Sequence, residues 1–207
     1  MDSISKIRSE VSVCTDCQLS HQRNTAVPGE GSETADVMFV GEAPGSNEDK
    51  LGRPFVGAAG NFLDELLRSA KLDRADIYIT NTVKCRPPNN RDPLPEERSS
   101  CRKYLDRQID LVNPKVVVSL GRHSLTSFLP GETIGKSRGQ ARSMGPFTLF
   151  PMYHPAAALH QPNLKQVIIE DFEKLSLLLN DLSSSPQDNM SGAPYQKDTA
   201  GEQLSMF

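Results

Sequence analysis

Four short apolar runs set the terms for this chain. DVMFVG (36–41), DIYITN (76–81), KVVVSLG (115–121) and FTLFPM (147–152) have strand composition, and segments with helical spacing stand between them. In AGNFLDELLRSA, Phe62, Leu63, Leu66 and Leu67 share one helical face. LPEERSSCRKYLDRQIDLV (94–112) opens with Pro95 and acidic residues, which suits a helix N-terminus. RHSLTSFL makes a short helix, and residues 164–181 place Leu164, Val167, Ile168, Phe172, Leu175, Leu178 and Leu179 at helical intervals. This alternation predicts an α/β fold in three layers, with helices on both faces of a central, mainly parallel sheet.

Open sheets of this class bind ligands beyond the carboxyl ends of their strands. The conspicuous loops all leave strand ends: 41–60, 81–94 and YHPAAALHQP (153–162). The unusual residues should therefore converge on one edge of the sheet. A chain of 207 residues fits one domain with a sizeable core. Its net charge of −3 gives no whole-surface attraction to nucleic acid, although a local basic patch is compatible with it. The apolar runs are too short to span a bilayer, and MDSISKIRSEVSV lacks the apolar core of a signal peptide; the cytoplasm is the expected compartment.

The loop GEAPGSNEDKLGRPFVGAAG (41–60) has the glycine content of a backbone grip. It carries neither of the glycine patterns of nucleotide loops, and Glu42, Glu48 and Asp49 would repel a phosphate. A plain strand–helix connection does not call for three carboxylates and RPF in the same turn.

Cys14 and Cys17 form a chelating pair, with Cys85 in VKCRPP and Cys101 in a helical segment. In a cytosolic chain four cysteines point to metal or redox work over disulfides. Zinc and an iron–sulfur cluster both use such ligands, and spacing alone leaves the two level.

Three motifs in order, GEAPGSNEDKLGRPFVG, ITNTVKCRPPNNRDPLPEE with its later CRKYL, and MYHPAAAL, resemble the family 4 uracil-DNA glycosylases, the iron–sulfur branch of that superfamily. The likeness runs from about Cys14 to Leu182. It implies a uracil-DNA glycosylase fold over 1–182, a [4Fe–4S] cluster on Cys14, Cys17, Cys85 and Cys101, and action as a monomer on uracil in single- or double-stranded DNA. The chain lacks the basic, His-containing insertion of a related branch that cross-links to uracil, which favours hydrolysis.

A glycosylase must extrude its base and read it in a pocket. Uracil offers O4 and O2 as acceptors and N3–H as a donor; one side-chain amide, that of Asn81, can meet N3–H and O4 together. Phe55 in RPFVG is the candidate to stack on the flipped ring. Bond cleavage puts negative charge on the base, so the site needs donors aimed at O2. His154 in YHP is that donor, best neutral, aided by backbone N–H groups in the Gly41, Glu42, Ala43 stretch. Other branches carry an aspartate where this chain has Ala43, which leaves Glu42 and Asn90 to position the attacking water. By analogy Glu48 crowds uracil C5 against thymine's methyl group; capping of the following helix is its structural alternative. Arg53, Lys84, Arg86 and Arg91 are the expected phosphate contacts.

After Asp181 the composition turns to Ser, Gly, Pro and Gln, which predicts a flexible tail over 183–207. Its last residues, Gln203, Leu204, Ser205, Met206 and Phe207, resemble the peptide by which bacterial proteins dock on the replication sliding clamp. Two other readings compete with the enzyme. One is a non-catalytic iron–sulfur module of the same fold that only recognises damaged or single-stranded DNA; the other is a redox or scaffold protein, which leaves Asn81, Phe55 and His154 unexplained.

Overall fold

The computed structural model describes residues 1–184 and Tyr195. Six strands form one sheet: β1 (Glu30–Gly31), β2 (Val37–Gly41), β3 (Tyr78–Asn81), β4 (Val116–Leu120), β5 (Arg142–Ser143) and β6 (Thr148–Met152), in the order β1-β3-β2-β4-β6-β5. The four long strands are parallel, as their continuous apolar character requires. The two-residue edge strands β1 and β5 pair antiparallel. They are too short to show a period in the sequence.

Alternation along the strands divides the core. Met38, Val40, Tyr78, Val117 and Leu149 pack on one face against α1 (Ile4–Val13) and α4 (Pro95–Val112). Val37, Phe39, Ile79, Val118 and Phe150 pack on the other, against α3 (Ala58–Ser69) and α8 (Leu164–Ser184). The three layers follow from a period of two meeting helices with apolar stripes. Helix α1, not anticipated above, places Ile4, Ile7 and Val11 in the core and is capped by the Ser3 hydroxyl, which accepts from the Lys6 N–H at 3.1 Å. Shorter helices are α2 (Ser46–Leu51), α5 (Arg122–Thr126), α6 (Ile134–Ser137) and α7 (Pro155–His160). The last lies inside the segment read as a loop. No described helix is long and apolar enough to cross a membrane.

Tyr195 falls in the segment expected to be flexible, yet it is docked on the body. Its N–H donates to the Met144 carbonyl at 3.0 Å, and its ring meets Phe147 and Phe128 with centroids 5.3 and 5.8 Å away. Its hydroxyl lies 2.6 Å from the Arg102 guanidinium and donates to Asp106 at 2.5 Å. A single aromatic among polar neighbours carries no periodic signal, which is why composition missed it. The clamp-like peptide, Gln203 to Phe207, lies outside the described residues.

Candidate functional site

The strand order reverses around β2: the chain leaves it for β3 on one side, then crosses to β4 on the other. Crevices open at such reversals. Gly41 ends β2, Asn81 ends β3, and the two are paired across the sheet. Beyond them lies a cavity of about 470 Å³ lined by Glu42, Ala43, Glu48, Phe55, Asn81, Asn90, Arg91, Asp92, His154 and His160, among others. Three separate loops thus deliver the predicted side chains to one cavity.

Asn81 is 2% exposed, and its amide makes no hydrogen bond to the described residues. A buried amide left open towards a cavity keeps its donor and acceptor available for pairing. Phe55 packs beside it at φ +52°, a strained conformation for a bulky residue. The surroundings hold it there. Gly60 lets α3 pass where a Cβ would lie 1.9 Å from the Phe55 carbonyl oxygen. The neighbouring Pro54 carbonyl accepts from Arg74 at 2.7 Å, and Arg74 is itself paired with Asp64 and Glu30. The ring is a buried part of the core that also lines the cavity, and one side of it stacks on His154 at 5.3 Å with planes 24° apart.

His154 caps α7. Its Nδ1 accepts from the Ala156 N–H at 3.1 Å, so the neutral ring carries its proton on Nε2. Burial lowers its pKa to about 4. The imidazole is therefore a neutral donor with a fixed tautomer. Gly121, at φ +87°, leaves room for it: a Cβ there would come within 3.1 Å of the His154 Cβ.

Glu42 lines the same cavity from the end of β2. Its backbone carbonyl accepts from the Val83 N–H at 3.1 Å and the Thr82 hydroxyl at 2.7 Å, joining the loop after β2 to the loop after β3. Burial, then the Asp92 carboxylate, raises its side-chain pKa to about 7; Arg122 and Arg98 oppose this. Asp92 itself meets Arg122 and His123, each at 3.0 Å. Asn90, at φ +54°, lines the cavity, and its Oδ1 accepts from Arg86 Nε at 2.8 Å.

Glu48 has less freedom than its expected specificity role assumes. One oxygen accepts from the Gly45 N–H at 3.1 Å, the other from the Val56 and Gly57 N–H groups at 2.9 and 3.0 Å. It caps α2 and braces the 45–57 loop while still facing the cavity.

The expected phosphate contacts divide. Lys84 is not one of them: it is 1% exposed, and its ammonium is spent on internal acceptors. Arg53 is 61% exposed but paired with Glu30 at 2.7 Å. Arg91 lines the cavity and forks onto Glu97 at 2.6 and 2.8 Å. Arg86 lies beside Asn90 at the same edge. Sequence reasoning passed over Asp92 and His160, although both lie within quoted segments and both line the cavity.

On the other side of the β3 exit, all four cysteines line a second, small cavity. Cys14 ends α1, Cys17 precedes a 3₁₀ turn (Gln18–His21), Cys85 follows β3 and Cys101 lies in α4. The Arg23 guanidinium donates to Cys85 Sγ at 3.0 Å and the Lys84 N–H to Cys101 Sγ at 3.3 Å. Burial raises the Cys101 thiol to about 12 and lifts Cys17 and Cys85 as well.

Comparison with known proteins gives this geometry its context. Residues 28–177 match the family described as the Uracil DNA glycosylase superfamily. The type-4 uracil-DNA glycosylase of Sulfurisphaera tokodaii is 51% identical over 185 residues, covering 84% of each chain. That of Saccharolobus solfataricus is 47% identical, covering 90% of this chain and 89% of its own. A type-5 enzyme from Thermus thermophilus is 33% identical over 65% of this chain. The cavity at the strand tips and the four-cysteine cavity beside it thus stand in a chain that belongs to the uracil DNA glycosylase superfamily, among its type-4 uracil-DNA glycosylases.

Proposed function

We propose that this protein extrudes uracil from DNA and hydrolyses its N-glycosidic bond, leaving an abasic site for base excision repair. The observation that carries this reading is the convergence of the free Asn81 amide, the Phe55 ring and the neutral His154 on one cavity. Asn81 pairs with N3–H and O4 of the extruded base. Cytosine reverses that edge and leaves the amide mispaired, at a cost of about 1–3 kcal/mol for each unmet group. The Phe55 ring supports the base from the core side. As the bond breaks, His154 Nε2–H donates to O2, where charge accumulates, without having to transfer its proton. Glu42, ionised above about pH 7, and the amide of Asn90, both lining the cavity, position the attacking water. Arg53, Arg86 and Arg91 hold phosphates, and the stretch 153–162 enters the minor groove.

The cysteine cavity suits a [4Fe–4S] cluster. Cys14, Cys17, Cys85 and Cys101 bring four thiols from separate segments to one small cavity, a donor set that such a cluster takes. When bound, the cluster would cross-link α1, α4 and the segment after β3. The cavity residues then keep their positions for the chemistry described above.

A uracil-containing oligonucleotide, incubated with the protein and then treated with alkali, is expected to break at the uracil. An intact strand that is nonetheless bound would establish the non-catalytic damage-binding module instead. The terminal peptide 203–207 is proposed to dock on a replication sliding clamp. Its deletion is expected to abolish clamp binding and leave excision of short oligonucleotides unchanged; retained clamp binding would refute it.

A further inference from the structure

Lys84 is a buried charge that the mechanism leaves unused. The Lys84 ammonium donates to the Asn81 backbone carbonyl at 2.6 Å, to Thr80 Oγ1 at 2.7 Å and to Gln108 Oε1 at 2.7 Å. Three N–H groups meet three acceptors, so its donor capacity is filled. Gln108 is anchored in turn by donating to the Pro28 carbonyl at 2.6 Å and to the Tyr78 hydroxyl at 3.2 Å. Taking an ammonium out of water is costly, and an apolar side chain of similar length would fill the same volume without that cost.

The position of this charge gives it a use. Its backbone N–H is bonded to Cys101 Sγ, and Cys85 is the next residue. Its side chain turns back to the carbonyl of Asn81, three residues earlier at the tip of β3. The following peptide is tied on its own side, with the Thr82 N–H donating to the Gly41 carbonyl at 2.9 Å. The peptide unit after Asn81 is therefore held at its carbonyl by Lys84 and at its N–H by β2. Such bonds determine the direction of the Asn81 side chain, whose own amide is held by nothing else among the described residues.

We propose that Lys84 is a positioning residue for base reading: it clamps the Asn81 peptide so that the amide meets the pyrimidine edge squarely, and it ties that geometry to the cysteine centre. The inference rests on the proposed role of Asn81 in reading uracil. A lysine that only stabilised the fold would lower the melting temperature and leave the affinity for the base alone.

The test is calorimetric binding of free uracil to the full-length holoprotein, alongside its affinity for undamaged DNA and its iron content. Lys84→Met is expected to keep its iron and its affinity for undamaged DNA while binding free uracil about tenfold more weakly. Unchanged uracil affinity in Lys84→Met overturns the proposal. Should that variant fail to fold, Thr80→Val, which removes one acceptor and keeps the shape, decides the matter. It is expected to weaken uracil binding about threefold, and no weakening overturns the proposal. Asn81→Ala separates the two levels: if it binds uracil as the parent does, the reading of Asn81 itself fails. If it loses uracil while Lys84→Met does not, only the positioning role is lost.

Discussion

Gly41 and Asn81 face each other across β2 and β3 so closely that a Cβ on residue 41 would lie 2.3 Å from the Asn81 amide oxygen. The same Cβ would lie 2.9 Å from two carbons of the Phe55 ring. The glycine is there because two cavity residues fill the space its side chain would take. Gly41→Ala is accordingly expected to displace both and to lower kcat/KM for uracil excision by about 100-fold. Its stability should fall by only about 1–3 kcal/mol. Thermal melts and single-turnover kinetics on one sample would check the two effects together.

The pH profile should separate Glu42 from His154. With its carboxyl near 7, Glu42 is mostly neutral below that value and ionised above it. If the carboxylate orients water, kcat/KM climbs up to about pH 7 and then levels, and Glu42→Gln removes the climbing limb. His154, lowered to about 4, stays neutral across that whole range and contributes no limb of its own. Stability runs in the opposite sense at Glu42. Because the folded state raises its pKa, the stabilising contribution is complete below the unfolded value near 4.5 and is lost as pH rises through about 7.

Removing the Glu48 carboxylate strips three backbone N–H groups of their acceptor at once. Glu48→Ala is expected to cost about 2–4 kcal/mol and to loosen the 45–57 loop that carries Phe55. Hydrogen exchange at residues 45, 56 and 57 should rise in step with the loss of excision. Excision lost without that change would assign Glu48 to base selection instead.

Arg91 is bonded to Glu97 and is proposed to hold a phosphate, and its substitution should test both roles. Glu97 is 2% exposed at its side chain and takes both of its Arg91 bonds together with the Leu94 N–H, at the start of α4. Arg91→Ala strands that carboxylate, with an expected loss of about 1–3 kcal/mol. It should also shallow the salt dependence of DNA binding by roughly one phosphate contact. A melting shift with an unchanged salt slope would show that Arg91 is purely structural.

The long elements of the fold were legible in local chemistry. The four parallel strands are continuous apolar runs, and α3, α4 and α8 carry apolar stripes at helical spacing. Such signals survive without tertiary context because burial on one or both faces leaves its period in the chain. The two-residue strands β1 and β5 have no room for a period, and the turn of α7 was hidden by its proline and its loop-like neighbours.

At the site, sequence determined which residue types were present, at the ends of which strands, and in which family's order. Their state was a tertiary matter. Lys84 and Arg53 look alike as letters; one is sealed against three oxygens beneath β3, the other lies on the surface against Glu30. His154 becomes a fixed neutral donor because burial and the Ala156 N–H act on it together, and Glu42 is raised to about 7 by burial and then by Asp92, fifty residues away along the chain. Spacing encodes which face a residue takes, but desolvation and charge proximity depend on segments that are distant in sequence, so only the folded chain could decide them.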